Sequence, residues 1–145
     1  MNEYPRACIR GIQKGSSIRS NNKASLKLFL PDDRTKKYRN DNGIETSINW
    51  EDNETVLDFT LNYKDDNNRL VFPNGAVRLS RDRIDSVITN TNVSNPVSYE
   101  RDKLEDNPYH GNIVFRDGLA QHDINLICGT FALYCSKVHT RQSNS

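Results

Sequence analysis

No stretch of this chain approaches the roughly 18 consecutive apolar residues that a membrane-spanning helix needs, so no membrane segment is expected. The opening Met1-Asn2-Glu3-Tyr4-Pro5-Arg6 lacks the apolar run of a secretory leader. Cysteine is sparse as well. Cys8, Cys128 and Cys135 are odd in number and have no C-x-x-C spacing, which argues against a disulfide framework and for free thiols in a reducing, cytoplasmic setting. In that setting the N-x-S/T triplets at Asn53 and Asn92 are incidental.

Motifs with recognisable chemistry are missing too. There is no G-x-G-x-x-G or G-x-x-x-x-G-K-[ST] to cradle phosphate, and no G-x-S-x-G, H-E-x-x-H or C-x-x-C. These absences count against nucleotide hydrolases, α/β-hydrolases, zinc proteases and thioredoxin-like enzymes. No cofactor is expected.

Asparagine is plentiful, with 18 in 145 residues. It gathers at Asn40-Asp41-Asn42-Gly43, Asp65-Asp66-Asn67-Asn68 and Pro73-Asn74-Gly75. These are turn sequences, since Asn and Gly tolerate positive φ. The length suits a single domain spanning 1–145, with 140–145 expected as a disordered tail. A hydrophobic share of 34% against 27% charged allows a modest core under a well-solvated surface.

The net charge of +1 conceals an uneven distribution. Residues 1–40 hold ten Lys or Arg against three acids, whereas residues 41–66 hold eight acids against Lys64 alone. The basic third is either a nucleic-acid surface or the electrostatic mate of the acidic segment. Pairing a basic strand over 25–30 with an acidic strand over 44–51 or 56–63 would join the charges across a sheet.

Periodicity supplies the elements. Strict alternation predicts half-buried strands at 44–51, with Ile44, Thr46, Ile48 and Trp50 on one face, and at 56–63, with Leu57, Phe59, Leu61 and Tyr63. Weaker alternation predicts strands at 6–12 and 25–30, and shorter ones at 97–100 and 111–115. Residues 70–72 and 76–79 flank Pro73-Asn74-Gly75 as a hairpin. Ser80 is placed to cap a short helix near 81–88. From Leu119 to Val138 the period turns helical, with Ile124, Ile127, Cys128, Phe131, Cys135 and Val138 in one stripe and Asp117 as N-cap. Gly129, unfavourable in mid-helix by about 1 kcal/mol relative to Ala, suggests close backbone contact with the sheet. The expected class is therefore α+β: a mostly antiparallel sheet packed against a long C-terminal helix, plus one short helix.

The densest polar cluster is Glu105-Asp106-Asn107-Pro108-Tyr109-His110-Gly111-Asn112. His110, oriented by Asp106 and accompanied by Tyr109, could act as a general base, with Gly111 letting a ligand approach the backbone. The plainer reading is a turn with His110 opening a strand. His110 and His122, with Arg116 between them, could divide acid and base roles in cleaving RNA. Cys128, Cys135 and His139 share a helix face and could clip zinc, but a fourth ligand is missing and Phe131 and Val138 mark that face as core. The run Trp50–Glu54 with Asp58 could hold a divalent cation, except that Glu51 and Asp52 point to opposite sides of a strand. No metal site is assigned.

The expectation is a non-enzymatic protein-interaction or accessory module. It would meet a protein partner or a second copy of itself through Arg34, Lys36, Lys37 and Arg39 against Glu51 and Asp52. A histidine-dependent hydrolase or nuclease centred on His110 is the alternative. A third reading is a nucleic-acid-binding protein using the basic residues of 6–39; only Tyr4, Phe29 and Tyr38 are at hand for stacking there, so it is not favoured.

Overall fold

In the computed structural model, which describes residues 4–141, five strands form one antiparallel sheet. They are β1 (Ala7–Gly11), β2 (Ile44–Trp50), β3 (Ala76–Ser80), β4 (Val97–Arg101) and β5 (His110–Phe115), in the order β3-β1-β2-β5-β4. The helices are α1 (Val56–Leu61), α2 (Arg81–Asn90) and α3 (Gln121–Tyr134). The class is α+β, as the periodicity predicts.

Alternation decides which residues meet the helices. Cys8, Ile48, Trp50, Val77, Leu79, Ile113 and Phe115 point to one face of the sheet and are buried with Ile84 of α2 and the α3 stripe Ile124, Ile127, Cys128 and Phe131. Burying such side chains stabilises by about 1.5–3 kcal/mol each, so this layer holds most of the fold. The opposite face is only partly covered. There α1 packs Val56 and Leu61 on Ile9 and Ala76.

Two expected strands are helical instead. Over 56–63 the sequence serves either period, because Val56, Thr60 and Leu61 fall at i, i+4 and i+5 and are the buried residues of α1. Asn53 starts the helix by accepting from the Thr55 amide at 2.9 Å. Residues Leu26–Phe29 form a 3-10 turn that buries Leu28 and Phe29 against α3 and leaves Leu26 39% exposed. With 25–30 not a strand, its expected pairing with 44–51 or 56–63 does not form; among the described residues the basic third meets the acidic segment in the sheet only through β1 and β2.

The Pro73-Asn74-Gly75 turn exists, with Gly75 at φ +109°, but it does not close a hairpin. β3 leaves it to pair with β1 from Ala7↔Ser80 to Gly11↔Ala76. Every non-glycine residue with positive φ among those described is an asparagine: Asn22, Asn42, Asn68 and Asn95. The C-terminal helix is shorter than 119–138. Its N-cap is Ala120 and not Asp117, and its chain exits at Cys135. The expected contact of Gly129 with the sheet is also absent, since a Cβ there would meet nothing within 4 Å.

After α3 the chain returns along the outer edge of β3. Ala76 and His139 exchange backbone bonds of 2.9 and 2.8 Å, and the Ser136 amide donates to the Arg78 carbonyl at 2.9 Å. Of the tail expected over 140–145, residues 142–145 lie outside the described residues; Arg141, within them, donates to Asn62 Oδ1 at 3.0 Å.

Candidate functional site

The segment between β4 and β5 folds over the open face of the sheet and carries the residues of the polar cluster. Leu104 and Asn107 bridge its two arms. Asn107 is buried, and its side-chain amide donates to Asn49 Oδ1 at 2.8 Å; Asn49 in turn donates to Thr60 Oγ1 at 2.8 Å. This relay ties the loop to β2 and to α1.

The three residues grouped by sequence as catalytic do not come together. Asp106, expected beside His110, accepts instead from the Tyr63 hydroxyl at 2.6 Å. Tyr109 lies against Phe59, ring centroids 5.0 Å apart and edge-on. His110 is oriented by Asp102: Nδ1 is 2.8 Å from the Asp102 carbonyl and 3.6 Å from its carboxylate. A carbonyl only accepts, so Nδ1 carries the proton and Nε2 is the bare nitrogen of the neutral ring. Asp102 was not singled out by sequence, and only the hairpin geometry reveals it. Gly111 faces away, towards the core, where a Cβ would lie 2.4 Å from the Glu100 carbonyl and from Trp50 Nε1. Its space is filled by the indole, which donates to Glu100 O at 3.1 Å, so no ligand approaches there. His122 is exposed on α3, on the other side of the sheet from His110.

His110 lines a cleft of about 360 Å³ on the open face, together with Arg10, Leu30, Thr35, Tyr63, Phe72 and Asn107. That volume falls within the roughly 300–1,000 Å³ of small-molecule sites.

The charged residues assigned to partner binding are mostly engaged within the chain. Arg39 is the centre of a knot, reaching Asp41 at 3.0 Å, Glu45 at 2.6 Å and Glu100 at 2.7 Å. Its guanidinium holds the Glu100 carboxyl below the usual range and that of Asp41 at about 2. Arg34 forks onto Asp32, and Lys36 reaches Asp117 at 3.6 Å. Lys37 lies 5.8 Å from the ring of Tyr38, which is 79% exposed. Glu51 is bonded by Arg78 at 2.7 Å, and Asp52 by Arg101. The mates of these two acids thus come from β3 and β4 and not from the basic first third.

Sequence reasoning passed over the outer side of α3. Leu126, Leu133 and Tyr134 are 59%, 64% and 48% exposed. Between Asp123 and Lys137 the chain carries no charged residue. Arg83 of α2 lies over the Tyr134 ring at 4.0 Å and borders a groove floored by Val87, Leu126 and Thr130. The signal was available, since Leu126 and Leu133 are large apolar residues lying off the stripe that faces the core.

Cys128 and Cys135 donate to the carbonyls of Phe29 and Ala132 in the core. Among the described residues, no helix is long and apolar enough to cross a membrane. Comparison of the chain with protein-family models, with curated proteins and with solved structures gives no match.

Proposed function

We propose that this domain is a non-enzymatic interaction module that pairs with a second copy of itself through the outer face of α3. The observation behind the reading is the exposed apolar surface of Leu126, Leu133 and Tyr134, with Gly129 between the two leucines and Arg83 at its border. Scattered exposed leucines are ordinary, but contiguous apolar surface on a soluble fold marks contact with another molecule. Leu126 and Leu133 are two turns apart, about 10 Å along the axis. Gly129 has no internal contact to explain it, and its missing side chain lets another helix approach closely.

A second copy fits this surface because the layout is self-complementary. An antiparallel crossing centred between Gly129 and Thr130 sets Leu126 of each copy against Leu133 of the other. Catalysis at His110 has less support, since Asp106 and Tyr109 are turned to other partners.

Sedimentation velocity across a micromolar concentration series tests the proposal. The wild type should shift from monomer to dimer. Leu126→Glu, at an exposed position that the fold does not need, should weaken pairing about a hundredfold. A two-fold interface loses each leucine twice, about 3 kcal/mol in all, and 1.4 kcal/mol is tenfold. Because the contact is apolar, raising NaCl to about 0.5 M should leave pairing within a few-fold, whereas a charge-driven contact would dissociate. A wild type that stays monomeric at the top of the series refutes the reading.

A further inference from the structure

Strands β1 and β2 share only the register pairs Cys8↔Trp50 and Ile9↔Asn49 before they separate, β1 following β3 and β2 following β5. Arg10 spans the gap. Its Nε donates to the Leu28 carbonyl at 3.0 Å, and Nη1 to the Ser47 carbonyl at 3.0 Å. Both acceptors are neutral, and Arg10 forms no ion pair among the described residues. The two carboxylates on the cleft wall beside it are already taken, Asp32 by Arg34 and Glu45 by Arg39. Burial lowers the Arg10 pKa to about 10, still far enough above neutrality to keep its charge. Arg10 is half-buried at the cleft wall; a partly desolvated cation without a counter-ion is costly, and an anion from outside relieves that cost.

One wall of the cleft is aromatic and well braced, while much of the rest is polar, with Gln13, Thr46, Asn49 and Asn107. Phe72 lies flat on the β1 backbone, where a Cβ on Gly11 would stand 2.3 Å from the ring. Tyr63 stacks on Phe72 with centroids 6.3 Å apart and planes at 23°, and its hydroxyl is tethered to Asp106. Leu30 and Thr35 form part of the other side.

We infer that this cleft binds a small organic carboxylate, its carboxylate on the Arg10 guanidinium and its apolar body beside Phe72 and Tyr63. The planar fork of arginine matches a carboxylate in two parallel hydrogen bonds. The guanidinium has Nη2 without a hydrogen bond to the described residues and, on Nη1, a second N–H beyond the one given to Ser47. The aromatic wall of Phe72 and Tyr63 favours a ligand with a carbon body over a bare anion. This site is independent of the α3 face, so it stands or falls apart from the self-association reading.

The probe is 3-phenylpropanoate, followed by amide shifts in nitrogen-15 NMR spectra of the whole chain. Saturable shifts at Gly11, Thr35 and Ser47 with Kd of about 1 mM or tighter are expected. The neutral 3-phenylpropan-1-ol should bind at least about tenfold more weakly. Arg10→Gln should abolish binding, but Arg10 also holds two carbonyls and its loss can disturb the fold. Phe72→Ala, at a half-exposed wall position, gives the second reading and should weaken binding about tenfold. Arg34→Ala should leave it within about twofold, because that guanidinium belongs to Asp32. No saturable shift at about 20 mM probe, equal binding of the alcohol, or an unaffected Phe72→Ala protein overturns the inference. Inorganic phosphate saturating the same amides at least as tightly as the probe overturns the carboxylate assignment.

Discussion

Replacing Thr60 with valine should destabilise the protein measurably. Thr60 is fully buried in α1 and closes the relay that starts at Asn107: its hydroxyl accepts from Asn49 at 2.8 Å and donates to the Val56 carbonyl at 2.8 Å. Valine keeps the shape and removes both bonds. The Asn49 amide, 5% exposed, is then left without its acceptor in the interior. An orphaned buried donor costs about 1–3 kcal/mol, while exchanging hydroxyl for a buried methyl returns up to about 0.8 kcal/mol. The net loss centres on about 1–2 kcal/mol, which lowers Tm by roughly 2–8 °C in a domain of this length. Urea unfolding followed by the fluorescence of Trp50, the only tryptophan and fully buried, reads this directly. The midpoint should fall with m unchanged. Thr89→Val on the exposed face of α2 is the control and should stay within about 0.5 kcal/mol. Asn107→Ala combined with Thr60→Val should destabilise by less than the sum of the two, because both break one network. A Thr60→Val protein within about 0.5 kcal/mol of wild type would show that Asn49 is satisfied elsewhere and that the relay does not fix the loop.

Two further outcomes follow from burial and charge. Burial pushes the Cys8 and Cys128 thiols up to about 12 and raises that of Cys135, so the native protein should resist a thiol-specific reagent at mildly alkaline pH and react at all three in denaturant. One thiol reacting rapidly in the native state would contradict their burial. Around Arg39, Asp41 and Glu100 have folded pKa values held below their unfolded ones, which are about 3.9 for Asp and 4.3 for Glu. Their contribution is therefore complete above that range and is lost as pH falls through the folded values, towards about 2 for Asp41. Arg39→Met should flatten the fall of stability over this acid window in chemical unfolding, and an unchanged slope would show that the knot contributes nothing.

The elements legible in the sequence are those whose period is unambiguous. Ile44–Trp50 alternates cleanly and is β2, and the 3.6-residue stripe from Ile124 to Phe131 is the inner face of α3. Val56–Leu61 misleads because six residues fit either period, and helices this short carry too few turns to decide. The stretch 25–30 misleads for a related reason. A 3-10 turn repeats every three residues and put Leu28 and Phe29 inside together, which period two forbids. β3 was readable as a strand, but its partner was not, since β1 is some 65 residues away along the chain and nothing local names it. The same limit hid the site. Arg10 is one of ten basic residues in the first 40, and only the separation of β1 from β2 sets it apart. Asp102 precedes His110 by eight positions and meets it only once the hairpin has closed.

The return of the chain along β3 bears on how the molecule is made. β1 and β3 precede the residues that cover them, and the outer edge of β3 stays bare until 136–139 docks. An uncovered edge is a template for pairing with any other strand nearby. The sheet is therefore most exposed after all five strands have formed and before Ser136 and His139 dock. A molecule in which 136–139 has come away from β3 would display the sheet with an open edge, the form of this domain most prone to capture by chaperones.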